Sequence, residues 1–370
     1  MPWSARFPTS TFECQAWQNT TVDCSSLAFG TFQSNGDIAG QGVVCSFGIA
    51  LVLTVIVTFI AICVQAADFC GADLASKLDE NGKPKPDAWR TILEAFLLGL
   101  SDTQLITGLA LMIVTEFNMT CSISAYHYDL VCDMVLMSLI VHLCSMTVIE
   151  HYFDVWYLAS VRILLIGGNF ILGCLLFIHR AYKDFPVGLP SQSPAQQEGI
   201  NATLITGDSF NKTSIVGASL VLPAVCFMDN STITTSTNQD ASSIVGFVEY
   251  LLLFIFFAAA VILSIMHTHF FKLGRPFKTL HWTYILRGAM SVAAFGASIY
   301  LINHVVAFQA WMRDSGWFGD DDGEYSMDSF GQIVPLVLLT LPFLALLEAM
   351  AEAFLGRNDD RSEKRNDDSS

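Results

Sequence analysis

The chain has 370 residues, 53% hydrophobic and only 14% charged, with 28 phenylalanines and a formal net charge of −16. A soluble protein carries about 25% charged residues, so this composition leaves too little polar surface for a water-soluble domain. The acidic balance, with no basic patch to neutralise phosphates, also excludes nucleic acid as a partner.

Residues 1–42 are polar, hold a single basic residue, Arg6, and contain no apolar core, so no cleavable signal peptide is visible. The first apolar stretch is expected to insert as a reverse signal-anchor, carrying this tail across the membrane. Seven stretches then follow: residues 43–65, 92–114, 124–149, 157–178, 244–266, 284–308 and 332–354. A bilayer core needs about 20 apolar residues at the helical rise, and each stretch meets that length. Backbone groups in lipid must be bonded within the segment, so the stretches are expected to be helices. The predicted fold is therefore an all-α bundle of seven transmembrane helices. It comprises an outer tail (1–42), a membrane domain (43–354) with a long outer loop (179–243), and a disordered cytosolic tail (355–370).

Orientation follows from charge. One side holds Lys77, Lys83, Lys85, Arg90, Lys272, Arg275, Lys278, Arg357, Arg361, Lys364 and Arg365; the other holds Arg6, Arg180, Lys183, Lys212 and Arg313. The richer side is expected in the cytosol, which puts the N-terminus outside and the C-terminus inside. Five N-x-S/T sequons, at Asn19, Asn118, Asn201, Asn211 and Asn230, all fall on the predicted outer side. Together they predict a glycoprotein of the secretory pathway, in the endoplasmic reticulum or the plasma membrane. Four of the ten cysteines are predicted to face the oxidising side, with Cys14–Cys24 and Cys121–Cys226 the preferred pairing. The other six are read as small apolar residues of the membrane region.

Ionisable groups at membrane depth cost roughly 2.5–3.5 kcal/mol each on insertion scales, so each needs a reason. The second stretch carries Glu94 and then Ser101-Asp102-Thr103-Gln104, which point nearly all round a helix. This predicts either a central position in the bundle or a local break, and the S-x-x-Q spacing favours a helix restart. The third stretch carries His127, Asp129, Asp133 and His142, and Glu249 and His304 reach a similar outer depth. Glu94, Gln104, Asp129, His142, Glu249 and His304 are candidates to line a polar chamber, and Asp102 and Asp133 are the candidate catalytic acids. A low-dielectric site disfavours a charged carboxylate, and a neutral carboxylic acid there can act as a general acid. The bland alternatives are hydrogen bonds that fix helix packing and solvation of His127, Asp129 and His304 at headgroup level. The acidic loop 313–329 is expected to be solvated surface. Pro335 and Pro342 are expected to kink or loosen the last stretch. No metal site is predicted, since His267-x-His269 has no accompanying cysteine or carboxylate, and no cofactor-binding motif is present.

The segments LSDTQLITGLALMI (100–113), CSISAYHYDLVCDMV (121–135) and VHLCSM (141–146) resemble a broad, largely uncharacterised group of fungal multi-spanning membrane proteins, some encoded among secondary-metabolite genes. The resemblance covers about 50 residues. It implies a fungal origin and a role in metabolite biosynthesis, and it supplies no catalytic residues. The expected function is a membrane-bound cyclase-like enzyme of a secondary-metabolite pathway, terpenoid for example, or an accessory factor to one. Its partners are then the lipid bilayer and a hydrophobic small molecule. The alternatives are a seven-helix receptor or sensor, although the third stretch lacks the arginine of the usual acidic-Arg-aromatic triplet, and a transporter or export accessory.

Overall fold

A computed structural model describes residues 30–70, 88–118, 122–149, 156–180, 185–187, 189, 218–227, 248–249, 251–255, 258, 278–318, 323–327 and 329–352. Among these the architecture is all-helical, with two isolated β-bridges and no strand. We label the long helices α1 (Gln41–Cys70), α2 (Ala88–Ile113), α3 (Ala125–Val148), α4 (Trp156–Arg180), α5 (Lys278–Asp314) and α6 (Phe330–Leu338, resuming after Leu339 and running to residue 352). Each contains a stretch long and apolar enough to cross a membrane, which makes six such helices among the described residues. The protein is thus built as an integral membrane protein. The fifth predicted stretch, 244–266, lies mostly outside the described residues; 248–249 and 251–255 are helical.

Apolar side chains on the outside of the bundle agree with a lipid surround. Phe59, Ile163, Leu164, Ile171, Val292, Phe330, Leu344 and Leu347 are all exposed, and they would form a large water-facing apolar patch in a soluble protein. The exception is α3. Its membrane-length window is 89% buried, against 11% for α6, and it touches α1, α2, α4 and α5. A helix without a polar face belongs in the middle of a bundle. The central position expected for the second stretch therefore belongs to the third.

Local chemistry sets the ends of these helices. Ser124 caps α3, its hydroxyl accepting from the His127 amide at 3.2 Å. The last residue before the chain leaves α3, Ile149, returns its amide to the Ser145 carbonyl. The second helix runs unbroken through Ser101–Gln104, so the expected restart does not occur. Instead α2 widens at its far end into a π turn, Val114–Asn118. In α6 the helix pauses at Leu339, between Pro335 and Pro342, where the missing proline N–H breaks the ladder.

Small residues let the helices close on one another. A Cβ at Gly108 would stand 2.9 Å from the Ser138 hydroxyl, and one at Gly99 would stand 3.0 Å from Pro342. Side chains then bond to backbone carbonyls across helices: Ser138 to Gln104 at 2.8 Å, Ser145 to Leu97 at 3.1 Å, and Asn169 to Leu105 at 3.2 Å.

One end of the bundle is capped. Residues 30–42 and the segment after α5 fold together over the start of α3. Phe32 bridges to Phe318 and donates its amide to the Trp317 carbonyl at 3.1 Å. Gln309 donates to the Ala39 carbonyl at 2.7 Å, and Gln332 to the Gly323 carbonyl at 3.0 Å. Trp317 is fully buried beneath this cap. On the neighbouring side, residues 218–227 dock against the same helix start, with a bridge between Ser124 and Pro223.

Among the described residues five cysteines (Cys45, Cys63, Cys132, Cys144 and Cys174) are free thiols on the long helices. Cys14, Cys24 and Cys121 lie outside the described residues, as do Asn19, Asn201, Asn211 and Asn230. Asn118 closes the π turn, and Cys226 falls in the 3-10 turn Ala224–Phe227.

Candidate functional site

The polar residues of α3 are arranged in layers along the bundle axis. Nearest the cap, the ring of His127 is held on both nitrogens. Nε2 donates to Glu324 Oε1 at 2.7 Å, and Nδ1 lies 2.8 Å from the Ser124 hydroxyl. Glu324 also accepts from the Tyr126 hydroxyl at 3.2 Å and from the Asn35 amide at 3.0 Å. Phe32 stacks on the imidazole at 5.4 Å. All of these groups are buried or nearly so. Glu324 comes from the acidic loop read as solvated surface, and its burial overturns that expectation; burial of His127 likewise removes the alternative in which it is solvated at headgroup level. A second cluster near the capped end joins the Tyr128 hydroxyl to Glu116 Oε1 and to the Leu176 carbonyl, each at 3.2 Å, with His179 Nδ1 3.8 Å from Glu116. The π turn of α2 carries Glu116 to this position.

One turn deeper lies the most highly charged group in the described structure. Arg180, the last residue of α4, has no solvent exposure. Its Nε stands 2.7 Å from Asp129 Oδ1; its Nη1 stands 2.7 Å from Glu249 Oε2 and 3.3 Å from Asp133 Oδ1. The second oxygen of Asp133 accepts from Nδ1 of His304 at 2.7 Å. His304 is stacked between Tyr300 and Phe308. Three carboxylates, a guanidinium and an imidazole from α3, α4, α5 and residue 249 thus converge where water is excluded. Asp129 and His304 are therefore part of the interior, not of a solvated headgroup layer. An unpaired charge here would be prohibitive, and a paired one is held only by good geometry.

The third layer is some nine residues further along α3, about 13 Å at the helical rise. Ser101 and His142 Nδ1 are hydrogen-bonded at 2.7 Å. Beside them Arg162 of α4 grips Asp102 with two nitrogens, at 2.7, 2.9 and 3.1 Å. The four consecutive polar residues of α2 are thus accommodated without a break. Ser101 and Gln104 face inward, Thr103 bonds back to the Gly99 carbonyl at 2.8 Å, and Asp102, 36% exposed, is met by Arg162.

The predicted chamber residues therefore divide. Asp129, Glu249 and His304 meet around Arg180; Gln104 and His142 belong to the deeper layer with Asp102. Glu94 pairs with Arg90 one turn back at 3.0 Å, near the start of α2, and joins neither. The proposed acids, Asp102 and Asp133, stand in different layers. Sequence reasoning missed Arg180, counting it as an outer-loop cation, and it missed Glu324 and Glu116. The signal for Arg180 was present: three carboxylates at one predicted depth had no cation, and Arg180 is the first basic residue after the fourth apolar stretch.

Among the described residues no group of three or more His, Cys, Asp or Glu side chains is placed to hold a metal ion. Comparison with known protein families, with characterised proteins and with solved structures finds no match for this chain.

Proposed function

We propose that the protein is a seven-crossing membrane component of a fungal secondary-metabolite pathway, acting as an export or accessory factor for an apolar small molecule. The order of the helix ends supports the seventh crossing. Arg180 ends α4 at the capped end, level with Asp129. The fifth helix is antiparallel to α3, since His304 meets Asp133 and Phe308 meets Tyr126, so it begins at the opposite end. Between residues 180 and 278 the chain must change ends, and Glu249 is already at the capped level on Arg180. A crossing within 244–266 satisfies this. An odd number of crossings then separates the termini, with the capped, sequon-bearing end outside and the lysine- and arginine-rich end in the cytosol.

The observation that carries the export or accessory role over a cyclase is the state of the two candidate acids. Both oxygens of Asp102 already accept from Arg162, and both of Asp133 are engaged by Arg180 and His304. A general acid has to present its carboxyl to the substrate within hydrogen-bond reach, whereas both of these carboxyls are engaged by cations of the bundle. Charged networks inside a bundle are instead the usual mark of substrate or ion pathways. Gene deletion followed by metabolite profiling of cells and medium tests the assignment. Export or accessory action predicts that the end product is made but accumulates in the cells. A cyclase predicts loss of the cyclised product and build-up of its linear precursor, and Asp102→Asn would then abolish product at normal protein levels.

A further inference from the structure

The group around Arg180 does not balance. Among the described residues, the positive charges within ion-pair distance of Asp129, Asp133 and Glu249 are Arg180 and, when protonated, His304. Three negative charges therefore face at most two positive ones in a space where no carboxylate is more than 2% exposed. Other titratable groups facing this space are the Cys132 thiol on α3 and the Tyr300 hydroxyl on α5. The Tyr128 hydroxyl, also nearby, is turned to Glu116 and the Leu176 carbonyl. None supplies a cation.

Hydrogen bonding in the group is incomplete in a specific way. Asp133 has both oxygens occupied. Asp129 Oδ1 and Glu249 Oε2 meet Arg180 as close ion pairs without hydrogen-bond geometry, while Oδ2 of Asp129, Oε1 of Glu249 and Nη2 of Arg180 are buried with no hydrogen-bond partner at all. Such atoms are rare in native interiors and call for an explanation. One proton on either carboxyl removes the surplus negative charge and turns an unpartnered acceptor into a donor.

We propose that Asp129 and Glu249 together form a binding site for one exchangeable proton, held beside Arg180 in the core of the bundle. His304, at 12% side-chain exposure the least buried member of the network, is its exchange point with the surroundings. Glu249 belongs to the fifth stretch and Asp129 to the central helix, so occupancy of the site decides whether these two elements repel or attract. Loss of the proton leaves two carboxylates competing for one guanidinium.

The experiment is pH-difference infrared spectroscopy on the purified full-length protein in lipid nanodiscs. The wild type should show a protonated-carboxyl stretching band that shifts down in D2O and disappears on alkaline titration. Protein made with carboxyl-labelled 13C-aspartate or 13C-glutamate should move that band, in one labelling or shared between both. Asp129→Asn and Glu249→Gln should each abolish it, because either one restores charge balance without a proton. Asp102→Asn, in a different layer, should leave it intact. Absence of any such band in the wild type overturns the proposal, as does a band that moves with neither label or survives both Asp129→Asn and Glu249→Gln. Because the labelling arms use the unmutated chain, a variant that fails to fold does not rescue the idea. The measurement needs no cargo, so its outcome is separate from that of the deletion test.

Discussion

Nδ1 of His304 lies 2.7 Å from Oδ2 of Asp133, tying α5 to the central helix at the level where Arg180 enters from α4. That contact makes Asp133 a bridge between two cations on different helices. It also explains how a helix carrying two aspartates and two histidines can be the most buried of the bundle: its polar side chains meet groups on neighbouring helices before they meet lipid.

Arg180 is the residue whose loss should cost most. Arg180→Met keeps the volume of the side chain but strands Asp129 and Glu249 and leaves Asp133 with His304 alone, and breaking a buried pair in this way costs about 3–5 kcal/mol. A clear fall in the thermal unfolding midpoint in detergent is expected. Asp129→Asn added to Arg180→Met should recover part of that loss, since it removes one of the stranded charges.

Glu324 latches the cap to α3 through His127, Tyr126 and the Asn35 amide. Glu324→Gln weakens hydrogen bonds to a charged group, each worth about 1.5–3 kcal/mol. Opening of the cap should become about tenfold to a hundredfold more frequent, read as faster limited proteolysis between residues 315 and 330. Unchanged cleavage there would show that Trp317 and Phe32 hold the cap without the latch.

Gly42 faces the Gln332 backbone so closely that a Cβ would overlap its carbonyl oxygen. The obstacle is backbone on a second helix, which cannot swing aside as a side-chain tip can. Gly42→Val should separate the starts of α1 and α6 and lower thermal stability, by about 1–3 kcal/mol as for other overpacked sites. Gly48→Val, where a Cβ meets nothing within 4 Å, is the matched control and should be near neutral.

The Cys121–Cys226 link expected from the sequence can be tested directly, since the segments on either side of it meet. Ala224 donates its amide to the Ile123 carbonyl at 2.8 Å, and Ala125 to the Leu222 carbonyl at 2.9 Å; each cysteine stands two residues from that first contact. Peptide mapping of the non-reduced protein should recover the two cysteines in one linked fragment, and reduction should separate them. Recovery of either as a free thiol would refute the pairing.

The membrane character of the chain is written into residue order alone. Runs of about twenty apolar residues must become helices in lipid, because no water is there to bond the backbone, and this holds whichever neighbours a helix has. The small residues that permit close approach, such as Gly108, are visible in the sequence but silent about what approaches them. The charges show the limit most clearly. Asp102 and Asp133 look alike on paper, two acids at membrane depth. Their meaning depends on Arg162 and Arg180, 60 and 47 positions away, which only helix packing brings into reach. Glu324 sits in a loop whose composition reads as solvated, yet chain folding over α3 buries it against a histidine 197 positions earlier. Local pattern determined that this chain lives in a bilayer and is helical there. Which helix is central, and which charge answers which, were decided by tertiary packing, since electrostatic pairing depends on distance in space and not on separation along the chain.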